Sequence, residues 1–164
     1  MSTTTKPLAF LVADDDEEGW ILTREALAEA DDRVEPYFVA DGEELLDYLR
    51  RAGRYAAAQT VMPDLILLDL NMPRKGGFEV LQDLRADAQL QQIPVVVWST
   101  SQNDADLERA FDLGVNIFVT KPASFDGLVN VLRVLGLTCF GSRPPAAAPD
   151  PGEGTPEPGA GVGG

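Results

Sequence analysis

The sequence predicts a doubly wound α/β fold, in which five parallel strands form one sheet with helices on both faces. Five short apolar runs alternate along the chain with helical patterns, as in parallel sheets built with right-handed crossovers. The third run, Leu65 to Leu68, contains no polar residue, which indicates a strand covered on both faces. Asp69 follows directly and would lie at the carboxyl end of this strand, where ligands bind in open α/β sheets.

The order of the elements follows from the apolar runs and the turn residues between them. Strands are predicted at residues 8–13, 34–39, 65–68, 95–98 and 116–119. Helices are predicted at residues 20–30, from Asp41 to near Gly53, from Gly77 through Leu84, at residues 104–113 and at residues 125–137. Apolar residues close to helical spacing, expected to face inward, include Ile21, Leu22, Ala26, Leu27, Leu107, Ala110 and Phe111.

Particular residues explain several of these boundaries. Pro36 lies within the second strand and cannot donate a ladder hydrogen bond, so this strand is predicted at the sheet edge. Asp41 and Glu44 have the spacing of a capping box at the start of a helix. Gly114 is expected to end the fourth helix.

The composition is typical of one soluble globular domain. The chain has 164 residues, of which 45% are hydrophobic and 24% charged. Its 13 basic and 27 acidic residues give a net charge of -14, so we expect no nucleic acid partner, because no basic surface would neutralise phosphates. The single cysteine permits no internal disulfide, and no apolar run is long enough to span a membrane. A cytoplasmic protein without a membrane segment is expected.

The chain is predicted to have three parts: a disordered N-terminus at 1–6, a folded domain at 7–140 and a disordered tail at 141–164. The 24 residues of the tail include six prolines, seven glycines and four alanines. Such a segment cannot bury enough apolar surface to offset its ordering entropy.

Polar side chains follow four of the predicted strands, at the edge of the sheet that their carboxyl ends share. Asp14 and Asp15 follow the first strand, Asp69 the third, Ser99 the fourth and Lys121 the fifth. Three carboxylates so close together would repel one another and raise each other's pKa values. Lys121 supplies one compensating charge, and the oxygen-only donors favour Mg²⁺ as the other.

These groups suit phosphoryl transfer onto Asp69. Its carboxylate would attack phosphorus, while the cation and Lys121 stabilise charge on the equatorial oxygens and Ser99 donates a hydrogen bond to one of them. The product would be an aspartyl phosphate. Taken alone, Asp69 could equally be a solvated acid at a strand end, and the residues after the other strands favour the reactive interpretation.

The same motifs resemble the receiver domain of bacterial two-component response regulators over roughly residues 7–137. That family has an acidic pair after the first strand, Asp-x-x-Met-Pro after the third, Thr or Ser after the fourth and Lys-Pro after the fifth. The chain has, in this order, Asp14-Asp15, Asp69-Leu-Asn-Met-Pro73, Ser99 and Lys121-Pro122. The resemblance implies a flavodoxin-like sandwich with strand order 2-1-3-4-5.

The resemblance also implies a role for each residue of the site. Asp69 would accept the phosphoryl group from a phosphohistidine of a separate sensor histidine kinase. Mg²⁺ would be bound by Asp15, Asp69 and the backbone carbonyl of Asn71, with Asp14 acting through water. Lys121 would pair with the acceptor and then with the phosphate.

Further residues would carry the switch and set the lifetime of the phosphorylated state. Ser99 and Phe118 resemble the switch pair, in which the aromatic ring turns inward when the hydroxyl moves to the phosphate; plain core packing is the alternative for Phe118. Asn71 and Ser101 resemble residues that flank the hydrolytic water. Asp16 is interpreted as a solvated residue at the start of a helix.

Three backbone and packing features are expected near the site. Gly77 would need a positive φ, and Pro122 would follow a cis peptide bond as in the family. Trp98 stands before the switch hydroxyl, where an aliphatic residue is usual, and should crowd the face behind the site.

The sequences around Asp69 and Lys121, with the long link from Arg54 to Met62, most resemble single-domain regulators that serve phytochrome-type sensor kinases. Members of that subgroup often dimerise through the fourth helix, fifth strand and fifth helix, here residues 104–137. A homodimer through this segment is therefore a hypothesis, and the downstream partner is unknown.

Three classes of function are weighed. The first is a receiver that switches protein–protein contacts and is not an enzyme beyond its own phosphorylation and slow dephosphorylation; a phosphate shuttle or sink would use the same site. A haloacid-dehalogenase-type phosphatase would need a second carboxylate two residues after the nucleophile, where Asn71 stands. A nucleotide binder would need a glycine-rich loop after the first strand, where residues 14–18 are all acidic.

Overall fold

The structure, a computed structural model, describes residues 7–57, 60–100 and 103–141. Its strands form one parallel sheet in the order β2-β1-β3-β4-β5, which confirms the predicted fold class and strand order. The strands are β1 (Leu8–Ala13), β2 (Val34–Val39), β3 (Leu65–Leu68), β4 (Val95–Ser99) and β5 (Ile117–Thr120). The α-helices are α1 (Glu17–Ala30), α2 (Gly42–Arg50), α3 (Gly77–Ala86), α4 (Asp104–Asp112) and α5 (Phe125–Phe140).

The chain divides into two compact units, residues 1–133 and 134–164. The first unit contains the sheet and α1 to α4, and the described part of the second continues α5 to Phe140. The predicted disordered segments lie outside the described residues, apart from Gly141. No helix in the described ranges is long and apolar enough to cross a membrane.

The sheet buries both of its faces. All four residues of β3 are fully buried, as their unbroken apolar character predicts. One face packs against α2, α3 and α4 in a single apolar cluster. The right-handed crossover rule places α1 on the opposite face, because the β1-to-β2 connection runs in the opposite direction to the later ones. Edge strand β2 pairs only with β1, which explains why Pro36 is tolerated there.

Two apolar faces differ from the prediction. In α1, Ile21 and Leu22 are 56% and 51% exposed, and the buried residues are Thr23, Ala26 and Leu27. The stripe at 23, 26, 27 and 30 has the helical spacing that faces the protein, and Ile21 lies on the other side of the helix. In α4, Phe111 is 48% exposed, because Ala110, one position earlier, occupies the buried face.

Helix ends agree with the predicted capping residues more closely than with the predicted lengths. Asp41 caps α2 by accepting a hydrogen bond from the Glu44 N–H at 2.8 Å. The helix ends at Arg50, before the predicted position, because Arg51 takes a left-handed conformation with φ of 54°. Gly114 has φ of 87° and follows Leu113, the C-cap of α4, as expected for a glycine that ends a helix.

Candidate functional site

Backbone hydrogen bonds extend the sheet one residue beyond the strands and bring the predicted site residues together. The Asp69 N–H donates to the Ala13 carbonyl at 3.0 Å, and the Lys121 N–H donates to the Ser99 carbonyl at 2.9 Å. Asp14 directly follows Ala13, so its side chain emerges beside that of Asp69. The short parallel strands therefore fix the spacing of these groups before any side-chain contact forms.

Lys121 forms ion pairs with two carboxylates. Its Nζ lies 2.6 Å from Asp14 Oδ2 and 3.4 Å from Asp69 Oδ2. The side chains are mostly buried, with 5% of Asp14, 10% of Asp69 and 20% of Lys121 exposed. The sequence predicted a pairing of Lys121 with Asp69; the structure contains it, but the shorter contact is with Asp14.

The three carboxylates form a cluster that fits a divalent cation. Asp14, Asp15 and Asp69 each offer one oxygen, and these oxygens lie within 4.8 Å of one another. Lys121 supplies one positive charge against three negative ones, so a divalent ion would complete the neutralisation. All donors are oxygen atoms, which suits a hard cation such as Mg²⁺.

The carboxylates differ in how many of their oxygens are already engaged. Asp14 Oδ1 accepts a hydrogen bond from the Asp16 N–H at 2.9 Å, while its Oδ2 pairs with Lys121. Asp69 Oδ1 accepts from the Asn71 N–H at 3.0 Å. Asp15 is exposed and makes no hydrogen bond or ion pair with the described residues. Asp15 is thus the most available ligand of the three.

Burial controls the charge state of the pair at the centre of the site. Burial raises the pKa of Asp69 above its usual value; the Asn71 N–H and the charge of Lys121 oppose this shift, and the charge of Asp14 adds to it. Burial lowers the pKa of Lys121, but its hydrogen bond to Asp14 and the two carboxylate charges outweigh this effect and raise it overall. Lys121 therefore stays charged at neutral pH.

Ser99 and Phe118 lie on the same face of the sheet. Ser99 is fully buried at the end of β4, and Phe118 of β5 is paired in register with Val97. Because side chains alternate along a strand, Val97 and Ser99 point to the same face. Phe118 packs against the apolar cluster and borders an open cavity of about 300 Å³, lined also by Asn103, Leu107 and Thr120.

Two tryptophans flank the site. Trp98 is 1% exposed, and its indole N–H has no hydrogen-bond partner among the described residues. Lys121 Nζ lies 5.8 Å from the centre of its ring, so Trp98 does lie behind the site. Trp20 was not predicted as a site residue; its indole N–H donates to the Asp14 carbonyl at 2.7 Å. The only feature of the sequence that could have placed Trp20 near the site is its position six residues after Asp14.

Two predicted backbone features are wrong. The Lys121–Pro122 bond is trans, since the described ranges contain no cis peptide bond. Gly77 has no positive φ. It is required for a different reason, because a β-carbon there would lie 2.7 Å from Leu70 Cα and 2.8 Å from the Asp69 carbonyl oxygen. Helix α3 thus begins in direct contact with the backbone of Asp69 and Leu70.

Two other predicted residues have different outcomes. Asp16 is the N-cap of α1 and accepts a hydrogen bond from the Glu18 N–H at 3.1 Å, in agreement with its interpretation as a residue at a helix start. Ser101 lies outside the described residues, so its role stays a prediction.

Comparison with solved structures gives close matches over most of the chain. The crystal structure of the phosphorylated cyanobacterial phytochrome response regulator RcpA has 40% sequence identity and a TM-score of 0.74, covering 82% of this chain and 94% of that chain. The crystal structure of response regulator RPA3017 in red light signalling of R. palustris has 32% identity and a TM-score of 0.76, covering 83% of this chain and 96% of that chain.

Sequence comparison agrees. Response regulator Rcp1 of Synechocystis sp. is 33% identical over 127 residues, which cover 77% of this chain and 85% of Rcp1. The crystal structure of its Mn²⁺-bound form matches with 32% identity and a TM-score of 0.72, covering 80% of this chain and 93% of that chain. Residues 10–133 match the response regulator receiver domain as a family. The chain therefore belongs to the response regulator receiver domain family.

Proposed function

We propose that this receiver accepts a phosphoryl group on Asp69 from a phosphohistidine of a sensor kinase and then changes its contacts with other proteins. The observation that carries the proposal is the cluster of the Asp14, Asp15 and Asp69 carboxylates at one sheet edge, two of which, Asp14 and Asp69, pair with the Lys121 ammonium. Membership of the receiver family supports the same chemistry.

In the transfer step, a carboxylate oxygen of Asp69 forms a bond to phosphorus as the phosphorus–nitrogen bond of the phosphohistidine breaks. The released imidazole keeps the bonding electron pair and takes a proton from solvent. Asp69 Oδ1 is oriented by the Asn71 N–H, while Oδ2 faces Lys121. Lys121 stabilises the negative charge that the phosphoryl oxygens bring into a largely buried site.

We assign the Mg²⁺ ligands to Asp15, Asp69 and the backbone carbonyl of Asn71, with Asp14 acting through water. When bound, the cation would neutralise the carboxylates and the phosphoryl oxygens. The free carboxylate of Asp15 supports direct binding, and the two engaged oxygens of Asp14 support a water-mediated role. The Mn²⁺-bound form of Rcp1 supports a divalent cation in a relative.

Ser99 and Phe118 are proposed as the switch. In this scheme the Ser99 hydroxyl donates a hydrogen bond to a phosphoryl oxygen, and the Phe118 ring changes its position. The shared face of the two residues and the cavity beside Phe118 support this coupling, because the ring has space on one side. Asn71 and Ser101 are proposed to set the lifetime of the phosphorylated state.

The kinase partner is proposed to be of the phytochrome type. This proposal draws on RcpA, described as a phytochrome response regulator, and on RPA3017, which acts in red light signalling. A role as a phosphate shuttle or sink is an alternative that uses the same phosphorylation site. A homodimer through residues 104–137 is a separate proposal about assembly and is compatible with either role. We propose no catalytic activity beyond the receiver's own phosphorylation and dephosphorylation.

Phosphorylation by a small phosphodonor tests the acceptor. Wild-type protein incubated with acetyl phosphate and Mg²⁺ should gain one phosphate, measured by intact-mass spectrometry, and chelation of Mg²⁺ should prevent the gain. Asp69→Asn should abolish it, while Asp112→Asn, which neutralises an exposed acid on α4, should leave it unchanged. Labelling that survives Asp69→Asn would contradict the assignment.

A further inference from the structure

The loop between β3 and α3, residues 69–76, contains a residue in an unusual backbone conformation. Arg74 has φ of 65°, in the left-handed region that residues with a β-carbon rarely occupy. Such a conformation costs free energy and persists only where surrounding contacts hold it. The same loop contains Asn71, whose backbone carbonyl is a proposed metal ligand, so the position of the loop matters for the site.

The side chain of Arg74, although 58% exposed, forms ion pairs with two acids at the start of α2. Its Nη2 lies 2.9 Å from Asp41 Oδ2, and its Nε lies 3.6 Å from Glu43 Oε1. Asp41 is buried, and its Oδ1 caps α2 by accepting from the Glu44 N–H. Arg74 is therefore attached to a carboxylate whose orientation the helix already fixes.

A backbone contact lies beside this ion pair. The Gly42 N–H donates to the Lys75 carbonyl at 3.1 Å. A β-carbon on Gly42 would overlap that carbonyl oxygen and lie 2.6 Å from Val80 Cγ2, so the loop packs directly on the first turn of α2. Lys75 also forms an ion pair with Asp83 on α3. Contacts with α2 and α3 thus hold the part of the loop that lies between Asp69 and the start of α3.

We propose that the Asp41–Arg74 ion pair and the Gly42–Lys75 hydrogen bond form a latch that positions the β3–α3 loop, and with it the Asn71 carbonyl, for Mg²⁺. The inference rests on the proposed function, because the cation gives the position of Asn71 its importance. Arg74 pairs with α2 and acts on the site through the backbone, so it is a positioning residue.

Calorimetric titration of the metal-free full-length chain with Mg²⁺ tests the latch. Arg74→Ala should raise the Kd for Mg²⁺ about tenfold, the lower end of the effect of removing groups that orient metal ligands. Removing the positive charge of Arg74 leaves the protein more negative, which by itself would strengthen Mg²⁺ binding. Weaker binding by the variant therefore cannot be a charge effect. Arg50→Ala, the same charge change on the exposed far end of α2, should leave the Kd unchanged.

A double-mutant cycle tests the pairing of the two side chains. Asp41→Asn keeps an N-cap, because asparagine caps helices as well as aspartate does, but it removes the charge that holds Arg74. It should raise the Kd more in the wild-type background than in the Arg74→Ala background, where only the effect of the lost negative charge remains. Arg74→Lys should recover part of the lost affinity, because its ammonium can still reach Asp41. Additive effects of Asp41→Asn and Arg74→Ala would overturn the latch.

Amide hydrogen exchange in metal-free protein provides a readout that does not depend on Mg²⁺. Arg74→Ala should accelerate exchange of the Gly42 N–H several-fold, while the amides of the β3 core keep their rates. Unchanged Gly42 exchange, or an unchanged Kd in Arg74→Ala, would overturn the latch alone. Wild-type protein that binds no Mg²⁺ would instead overturn the proposed function.

Discussion

At the scale of single residues, burial and the neighbouring groups act in opposite directions on the carboxylate of Asp69, the proposed acceptor. Burial raises the pKa of Asp69, although the Asn71 N–H and Lys121 both favour the ionised form. The fold therefore stabilises the ionised form of Asp69 less well than water does. A divalent cation bound at the carboxylate cluster would place positive charge beside Asp69. It would thereby favour the ionised carboxylate that the proposed phosphoryl transfer requires.

The raised pKa of Asp69 predicts how stability depends on pH. Well below pH 4 the aspartate is protonated in both the folded and the unfolded chain, so its ionisation does not affect the free energy of unfolding. As the pH rises from the ordinary pKa of aspartate through the raised pKa of the folded state, Asp69 ionises more readily in the unfolded chain than in the folded chain. The folded state therefore loses stability over this interval. Asp69→Asn should therefore be more stable than wild type at neutral pH without divalent cations, and the difference should shrink on acidification.

Urea unfolding in a chelator across this pH range measures the difference. Lys121 keeps its charge throughout, because its own pKa is raised, and does not complicate the comparison. A stability difference that is constant with pH, or that grows on acidification, would contradict the raised pKa of Asp69.

At the scale of elements, the junction of β3 with α3 is closely packed beside the site. The start of α3 at Gly77 lies against the backbone of residues 69 and 70, and the Gly77 N–H donates to the Leu70 carbonyl at 3.1 Å. The sequence predicted that a glycine was needed here but gave the wrong reason. The sequence pattern indicates that position 77 needs a glycine. Which atoms would meet a β-carbon there depends on how closely β3 and α3 approach each other, and the pattern does not contain that distance.

The close approach at Gly77 predicts a large effect of one methyl group. Gly77→Ala should destabilise the protein by about 1–3 kcal/mol, the usual cost of overpacking, and should slow phosphorylation because the backbone of Asp69 must shift. Gly76→Ala is the matched control, since its β-carbon would lie 3.6 Å from the nearest atom, the Leu70 carbonyl oxygen. Thermal unfolding and acetyl phosphate labelling measure both effects; equal losses in the two variants would contradict the packing argument.

At the scale of the whole molecule, the sequence predicted the sheet and the site better than the helix faces. The apolar run Leu65–Leu68 and the polar residues after each strand were sufficient to predict that the site residues meet. Parallel strands bring their carboxyl ends to one edge of the sheet whatever the packing of individual side chains. The exposure of Ile21 and Phe111 was not predictable, because the apolar residues of α1 and α4 lie on more than one side of each helix, and their spacing does not say which side is buried. The Asp14–Lys121 contact and the latch at Arg74 depend on side-chain geometry between distant segments, which spacing along the chain does not encode.

The acid cluster also links the site to global stability. The chain has a net charge of -14, and three of its carboxylates converge with one lysine. A cation that binds only the folded cluster must stabilise the fold, by about 2.7 kcal/mol at a concentration one hundred times its Kd. Mg²⁺ should therefore raise the melting temperature of the wild-type protein well beyond the effect of NaCl at equal ionic strength.

Asp15 is the proposed ligand whose substitution should remove this stabilisation. Asp15→Asn removes an exposed carboxylate with no partner in the described ranges, so it should cost little stability without metal and abolish most of the Mg²⁺-dependent shift. Glu17→Gln, the same charge change two residues on, should keep the shift, because Glu17 lies in the first turn of α1 rather than in the cluster. If Asp15→Asn retained the full shift in thermal unfolding, the ion would bind elsewhere on the acidic surface, and the assignment of Asp15 would be wrong.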